Sequence, residues 1–298
     1  MSPPDALLCP LCNADAPVDL GQVPPPGRTV GGLDIPPAHL LHCRTCSYRW
    51  KSARPDESAL AAAYAANSGD WWPDDGKARS HVTRHIGQIL ARRLPTAASV
   101  LDVGCFDGSM LAAVQGDWRR YGVEPSVSAA GRAAARGVEV LAPTLDQLAG
   151  DRQFDAILAL DVIEHLYRPG AFFTALAARL RRGGVILLMS GDPAAWTWRI
   201  TGPAYWYVAN PEHVGFFDRA AMGHAARLAG LQVAGWTRLQ HHRRPWPRRM
   251  AEHAGNLAWL AARGLGGLGL ASVRRLTVNH RSPHWLGARD HALAEVCR

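Results

Sequence analysis

Two cysteine pairs open the chain, Cys9-Pro10-Leu11-Cys12 and Cys43-Arg44-Thr45-Cys46. A Cys-x-x-Cys turn points two thiolates at one ion, and two such turns complete a closed tetrahedral shell suited to Zn²⁺. A closed shell leaves no position for a reacting water, so the expected ion is structural. The span between the pairs contains VPPPGRTVGG and little apolar residue. Metal binding would therefore supply folding free energy that burial cannot. Redox use of the two pairs, or unpaired buried thiols, is the competing reading. Cys105 and Cys297 stand alone and read as small buried residues.

The second group of chemical residues starts at a glycine-rich turn, DVGCFDGS, residues 102–109. Gly104 and Gly108 allow the backbone close to a ligand, and a helix starting after Gly108 offers free N–H groups. Phe106 holds the middle glycine place of a dinucleotide fingerprint and no Gly-Lys-Ser/Thr follows, so neither that motif nor a P-loop is present. Glu124 closes the next apolar run, where a carboxylate can accept both hydroxyls of a ribose. Asp161 and Glu164-His165 follow a later run. His165 and His213 are the candidate general bases, because imidazole changes protonation near neutral pH. The competing role for Glu164-His165 is to hold a loop by hydrogen bonds.

These residues need a scaffold, and the apolar pattern predicts one. Runs of strand length fall at 99–103, 120–123, 138–141, 154–160 and 185–190, with helical patterns at 108–115, 127–136 and 169–181. Short buried strands alternating with helices indicate a doubly wound, mostly parallel α/β sheet. Helices are expected at 57–66 and 78–94, the second stopped by Pro95, and two more strands at 231–239 and 291–296. The chain thus divides into a zinc-ribbon module (1–52), a helical linker (53–97) and an α/β domain (98–298). An Arg/Trp-rich helical insertion is expected at 241–287.

In order, DVGCFDGS, GVEPS, FDAILALDVIEHL and LRRGGVILLMS resemble the motif series of class I S-adenosylmethionine-dependent methyltransferases, in the branch whose fourth motif reads D-x-x-E-H. Residues 43–64 resemble the zinc-ribbon lead-in of bacterial small-molecule and sugar methyltransferases. The resemblance implies a Rossmann-like seven-stranded sheet and S-adenosyl-L-methionine as cofactor. It places Asp102 and Gly104 at the methionine end, Glu124 on the ribose, Thr144 and Leu145 beside the adenine, and Asp161 and Val162 under the sulfonium. Cys105, Phe106, Gly108 and Pro125 complete the implied cofactor set. Phe106 departs from the family's usual glycine, so the loop takes another shape there or the ring packs under the cofactor. The sequence Asp161-Val162-Ile163-Glu164 stands where enzymes that methylate base amino groups carry (N/D)-P-P-Y, which argues against that chemistry.

Composition sets the outer bounds. Hydrophobic residues make up 48% and charged residues 19%, ordinary for a chain with a buried core. With 33 Lys+Arg against 25 Asp+Glu the net charge is +8, which suits an anionic partner. No apolar run has transmembrane length and no leader is evident, so the expected location is cytoplasmic. The basic HHRRPWPRR segment before an apolar helical pattern adds expected peripheral contact with an anionic membrane surface or a lipid-linked substrate. The leading expectation is methylation of a small acceptor on O or C: a sugar, nucleotide-linked sugar, lipid-linked glycan or secondary metabolite. An RNA methyltransferase is the alternative, and a non-catalytic module with a degenerate cofactor site is another. The aromatics at 194–207 are read as either a wall of the acceptor pocket or a packed lid.

Overall fold

The computed structural model describes residues 7–26, 32–66, 76–267 and 280–298. The predicted parallel sheet forms, with strands β4 (Ser99–Val103), β5 (Arg119–Val123), β6 (Glu139–Ala142), β7 (Phe154–Leu160) and β8 (Leu180–Gly191). Strands β10 (Gln232–Leu239) and β11 (His291–Cys297) complete it in the order β10-β11-β8-β7-β4-β5-β6. Pairing is parallel from β6 to β8, and β11 runs antiparallel to both β8 and β10. β7 lies at the centre, and Ala156, Ile157, Leu158 and Ala159 are wholly buried there. A strand covered on both faces has to be apolar throughout, which is why this run shows no alternation.

Each face is covered by helices whose buried side chains follow the helical repeat. On one face α2 (Gly76–Arg93) packs Val82, Ile86, Ile89 and Leu90 over Val100, Leu158 and Leu187. On the other, α5 (Pro169–Arg179) and α7 (Arg219–Leu228) bring Phe173, Leu176, Ala221 and Ala225 onto Leu101 and Ile186. Pro169 occupies the first turn of α5, where its missing N–H costs nothing. The shorter helices α3 (Ser109–Ala113) and α4 (Val127–Ala135) follow β4 and β5, and α1 (Glu57–Ala66) stands before α2. The insertion carries α8 (Trp246–Gly267); residues 268–279 lie outside the described residues. No helix among the described residues is long and apolar enough to cross a membrane.

The N-terminal strands β1 (Val18–Gln22), β2 (His39–His42) and β3 (Arg49–Lys51) make a second sheet, and its fourth strand comes from far along the chain. β9 (Gly215–Phe216) pairs antiparallel with β3, Arg49 opposite Phe216 and Trp50 opposite Gly215. Only glycine fits at 215, because a Cβ there would strike the Tyr48 hydroxyl. Leu41, Tyr48 and Trp50 belong to the same buried cluster as Leu101, Phe173 and Phe217. The ribbon is thus continuous with the α/β core rather than a bead in front of it.

Candidate active site

The carboxyl ends of β4, β5, β6 and β7 meet along one edge of the sheet, the edge at which doubly wound folds bind ligands. Gly104 lies there with φ 75°, and a Cβ would come within 2.9 Å of Val162. Its N–H and that of Cys105 both donate to the Val123 carbonyl, at 2.8 and 3.1 Å. Gly104 itself is exposed, so its backbone faces open space. Gly108 also has positive φ, 74°, but it is buried, and a Cβ would meet Ala133 Cα at 2.9 Å. The absence of a side chain there admits α4. The Cys105 thiol likewise turns inward against Gly122, leaving only its backbone for the edge. Burial pushes that thiol well above its usual range.

Glu124 organises the loop. Its Oε2 accepts from the Phe106 N–H at 2.9 Å and its Oε1 from the Ser126 N–H at 2.9 Å. Phe106 adopts φ 49°, unusual for a side-chain-bearing residue, and its ring lies under the Arg132 guanidinium at 5.5 Å. The ring therefore leans toward α4. Asp107 is spent on Arg136, at 3.0 Å, and on the Ser109 N–H. Burial, then the Glu124 charge, pushes Asp102 up to about 8. Burial also raises Glu124, with its two N–H donors pulling the other way. Pro125 is half-buried behind it. Across β6, Leu145 is buried, and the Thr144 hydroxyl is buried with no hydrogen-bond partner among the described residues.

At the end of β7, Asp161 takes φ 54° and its N–H donates to Met189 O at 2.8 Å, so the chain turns sharply into Val162 and a short 3₁₀ turn, Ile163–His165. This turn fans three side chains apart. Asp161 faces His241 at 3.9 Å, and the His241 ring packs on His291 with centroids 4.4 Å apart. Glu164 is wholly buried and accepts from the Tyr207 hydroxyl. Burial raises its carboxyl, with the His165 charge opposing. His165 Nδ1 lies 3.0 Å from Glu212 O and 2.9 Å from the Tyr64 hydroxyl.

His213 joins the same cluster, its ring 4.9 Å from His165 and 4.1 Å from Tyr207. Its Nδ1 lies 2.8 Å from Tyr207 O. A carbonyl only accepts, so Nδ1 carries a proton, and the neutral ring would hold its lone pair on Nε2. The two histidines singled out in the sequence are therefore neighbours across a long stretch of chain. Ligand atoms of Glu164, His165 and His213 fall within 4.8 Å of one another, as do those of Asp161, His241 and His291; either set could hold a metal ion.

Sequence reasoning missed His291 and Asp290, and it read His241 only as part of the basic segment and Tyr207 only as one of the aromatics at 194–207. Asp290 accepts from His291 Nδ1 at 3.0 Å and from the Tyr205 hydroxyl. Burial lowers the His291 pKa, but the charge and hydrogen bond of Asp290 outweigh it and the net direction is up. Two His residues at strand ends gave the only available signal. The aromatics at 194–207 are mostly packing: Trp198, Tyr205, Trp206 and Tyr207 are buried together, while Trp196 is half exposed. Phe216 and Phe217 are core residues as well.

In the ribbon, Cys9 Sγ lies 3.5 Å from Cys46 Sγ and Cys12 Sγ 3.6 Å from Cys43 Sγ, and all four sulfurs lie within 4.8 Å of one another. Four thiolates ~2.3 Å from a central Zn²⁺ would stand about 3.8 Å apart, so this donor set fits that ion. The ribbon also grips the loop that carries His213. Lys51 Nζ donates to Asn210 O at 2.6 Å, and Ser47 Oγ and Arg49 Nη1 donate to Asp218 Oδ2 at 2.5 and 3.1 Å.

Comparison with known proteins places this geometry. A family model described as a methyltransferase domain matches residues 77–234, more than half of the chain. The chain belongs to the methyltransferase-domain family. It is a class I S-adenosylmethionine-dependent enzyme in fold and motif order. A ubiquinone biosynthesis O-methyltransferase of Xanthomonas axonopodis pv. citri is 27% identical over 204 residues, 62% of this chain and 84% of that protein. Its namesake in Dinoroseobacter shibae is 27% identical over 175 residues, 50% of this chain and 70% of that one. One chain of the Haloferax volcanii complex between the Trm112 methyltransferase activator and a methyltransferase superposes with TM-score 0.50 at 18% identity, covering 82% of this chain and 98% of that chain. This last likeness concerns the fold.

Proposed function

We propose that this methyltransferase alkylates a hydroxyl of a small-molecule acceptor, a sugar, nucleotide-linked sugar, lipid-linked glycan or secondary metabolite, at the Asp161 edge of the sheet. The observation that carries the reading is the gathering of His165, His213 and Glu164 just past Asp161. A hydroxyl acceptor must lose a proton, and this edge holds the groups that take one. The names of the relatives, O-methyltransferases, support oxygen as the accepting atom.

The methyl donor is assigned to Gly104, Glu124, Pro125, Thr144, Leu145, Asp161 and Val162, with Asp102 behind them and the backbone of Cys105 and Phe106 at the turn. Three observations support the fit. Gly104 leaves exposed backbone, each Glu124 oxygen keeps a lone pair beyond its N–H contact, and the buried Thr144 hydroxyl has no partner among the described residues. Bound there, S-adenosylmethionine supplies a sulfonium methyl for in-line displacement, with the electron pair of the breaking bond left on sulfur. The residues of the chain do the rest. Val162 and Gly104 fix the floor, and His213 Nε2 takes the proton of the attacking hydroxyl. Tyr207 O holds the His213 ring in that tautomer, and His165 stands beside it as the second base.

The four cysteines are assigned to one structural Zn²⁺, and the chain is read as a ribbon (1–52), a helical link (53–97) and a catalytic domain (98–298). Exposed Trp246, Met250 and Leu257 beside Arg248 extend the reading to peripheral contact with an anionic membrane. The test is transfer of a labelled methyl group to a panel of sugars, sugar nucleotides and phenols, with RNA as a control and the product resolved by NMR. An O-methyl product supports the proposal; labelling of RNA alone, or only C- or N-methyl products, sinks it.

A further inference from the structure

Beyond the base cluster, the same edge of the sheet opens into a cavity of about 380 Å³ whose lining is dominated by arginine: Arg238, Arg243, Arg249 and Arg289, with His81 and Gln240. We infer that this cavity is a phosphate-binding subsite, which holds a phosphate or diphosphate group carried by the acceptor. The inference rests on the acceptor site proposed above and assigns its substrate class.

Among the described residues the charges around the cavity do not cancel. Arg238 is paired with the buried Asp192, Nε to Oδ2 2.6 Å. Glu252, the other acid nearby, faces Arg244 at 3.4 Å and accepts from the Gly287 N–H at 2.8 Å. Arg243, Arg249 and Arg289 have no carboxylate partner among the described residues. Three guanidiniums without a carboxylate partner among the described residues thus gather around one concavity, and the planar guanidinium fork matches phosphate oxygens. Arg249 adds a more specific sign, since its Nε is buried without an acceptor among the described residues. A buried donor left unmade is costly, so one on a residue that lines a cavity calls for a ligand oxygen as its partner.

The wall is held in place before any ligand arrives. Gln240 Nε2 donates to Gly287 O at 2.7 Å, the His242 N–H to Leu286 O at 3.2 Å, and His81 Nε2 lies 2.8 Å from Gln240 O. These contacts tie the two insertion ends and α2 into one rim. A Cβ at Gly287 would come within 2.8 Å of Arg249 Cγ, so that glycine makes room for the arginine stem.

Position links the cavity to the reaction. Gln240 directly precedes His241, and Arg289 stands two places before His291, the two histidines packed beside Asp161. At ~3.3 Å per extended residue, the cavity begins within about 7 Å of that cluster. That is the span of one sugar ring, so a glycosyl phosphate or diphosphate could place its anion among the arginines and a ring hydroxyl at the Asp161 edge proposed for the acceptor.

Titration calorimetry with sodium pyrophosphate, without added divalent metal, tests this on the full chain. We expect saturable binding to the wild type, weakened at least about tenfold in Arg243→Ala/Arg289→Ala and largely kept in Arg243→Lys/Arg289→Lys. Binding of S-adenosylhomocysteine should be equal in all three. Where the alanine pair loses that as well, exposed Arg243→Glu is read in its place. A parallel arm uses phosphatidylglycerol vesicles against phosphatidylcholine vesicles. Arginine-dependent binding to the first with none to pyrophosphate makes the ligand a lipid phosphate and supports the subsite. Absence of arginine-dependent binding in both arms overturns it. Failure of the wild type to bind S-adenosylhomocysteine would overturn the donor-site reading instead, while the pyrophosphate result keeps its own meaning.

Discussion

Glu124 Oε2 accepts the backbone N–H of Phe106 at 2.9 Å, so the residue that departs from the family's usual glycine is tied to the carboxylate assigned to the ribose. The bond uses the N–H and not the side chain, while the ring is parked under Arg132. A bulky residue can thus occupy a left-handed turn without entering the space above Gly104.

The first prediction follows from this bond. Glu124→Ala removes the ribose acceptors and loosens the Phe106 turn, and should weaken S-adenosylhomocysteine binding by about 10- to 100-fold. Calorimetry reads it directly. Phe106→Ala, which keeps the N–H, should bind within a few-fold of wild type. Equal affinity for Glu124→Ala and wild type would remove Glu124 from the donor site.

His213→Ala should cut kcat by about 10²- to 10⁴-fold with donor affinity unchanged, as expected for loss of a general base. His165→Ala should cost less, because its Nδ1 is engaged by Glu212 O and Tyr64. Single-turnover kinetics with saturating donor distinguish the two; a kcat loss confined to His165→Ala would reverse the assignment.

Tyr207→Phe leaves Glu164, wholly buried, without its donor. The expected loss is about 1–3 kcal/mol of stability, read as a lower urea midpoint. The double variant Tyr207→Phe/Glu164→Leu should recover part of it, since the unmet buried carboxylate is then gone, while the Gly191 N–H that donates to the Tyr207 hydroxyl at 3.3 Å still loses that partner.

Lys51 gives a pH dependence. Burial pulls it down to about 7 from the ordinary 10.5, with the Glu212 charge opposing. Between these values the folded chain binds fewer protons than the unfolded chain, so stability rises with pH through that window and is lowest below about 7. Lys51→Met should flatten that rise. Urea titrations at about pH 6 and about pH 10 check it; an unchanged slope would mean that Lys51 stays charged in the fold.

Metal content closes the set. The purified chain should carry Zn²⁺ equimolar with protein, and Cys43→Ser or exhaustive chelation should lower Tm by at least about 10 °C. Activity should fall before secondary structure does, because Lys51, Ser47 and Arg49 anchor the His213 loop from the ribbon. Mass spectrometry under native conditions and circular dichroism score the two separately.

Much of the scaffold was legible in the sequence. The strands at 99–103 and 154–160 form over those residues, because uninterrupted apolar runs with turn residues at both ends have few other solutions. The motif turns at Gly104, Glu124 and Asp161 were legible for the same local reason. The predicted helix to residue 181 ends at Arg179, and β8 starts early at Leu180, since Gly183 and Gly184 let the strand pair back along Phe154. Long-range partners were not legible. Nothing in the residues around His291 announces Asp161, and the pairing of His165 with His213 depends on a loop held from the other end of the chain. Gly108 is a further case: nothing in the residues around it announces that Ala133 lies where its side chain would be.

The two-residue strand β9 carries a further consequence. Because the ribbon sheet is completed by Gly215–Phe216, the front and back of this molecule cannot be exchanged like beads on a string. Cutting after residue 52 would not release a finished catalytic domain. It would bare the unpaired edge of β9, together with the apolar side chains that Tyr48 and Trp50 now shield. An open edge of that kind recruits other chains. A shortened version should therefore fail as a sticky particle, not as a weaker enzyme, and any lineage that loses the cysteines must first reinvent the cover for that edge.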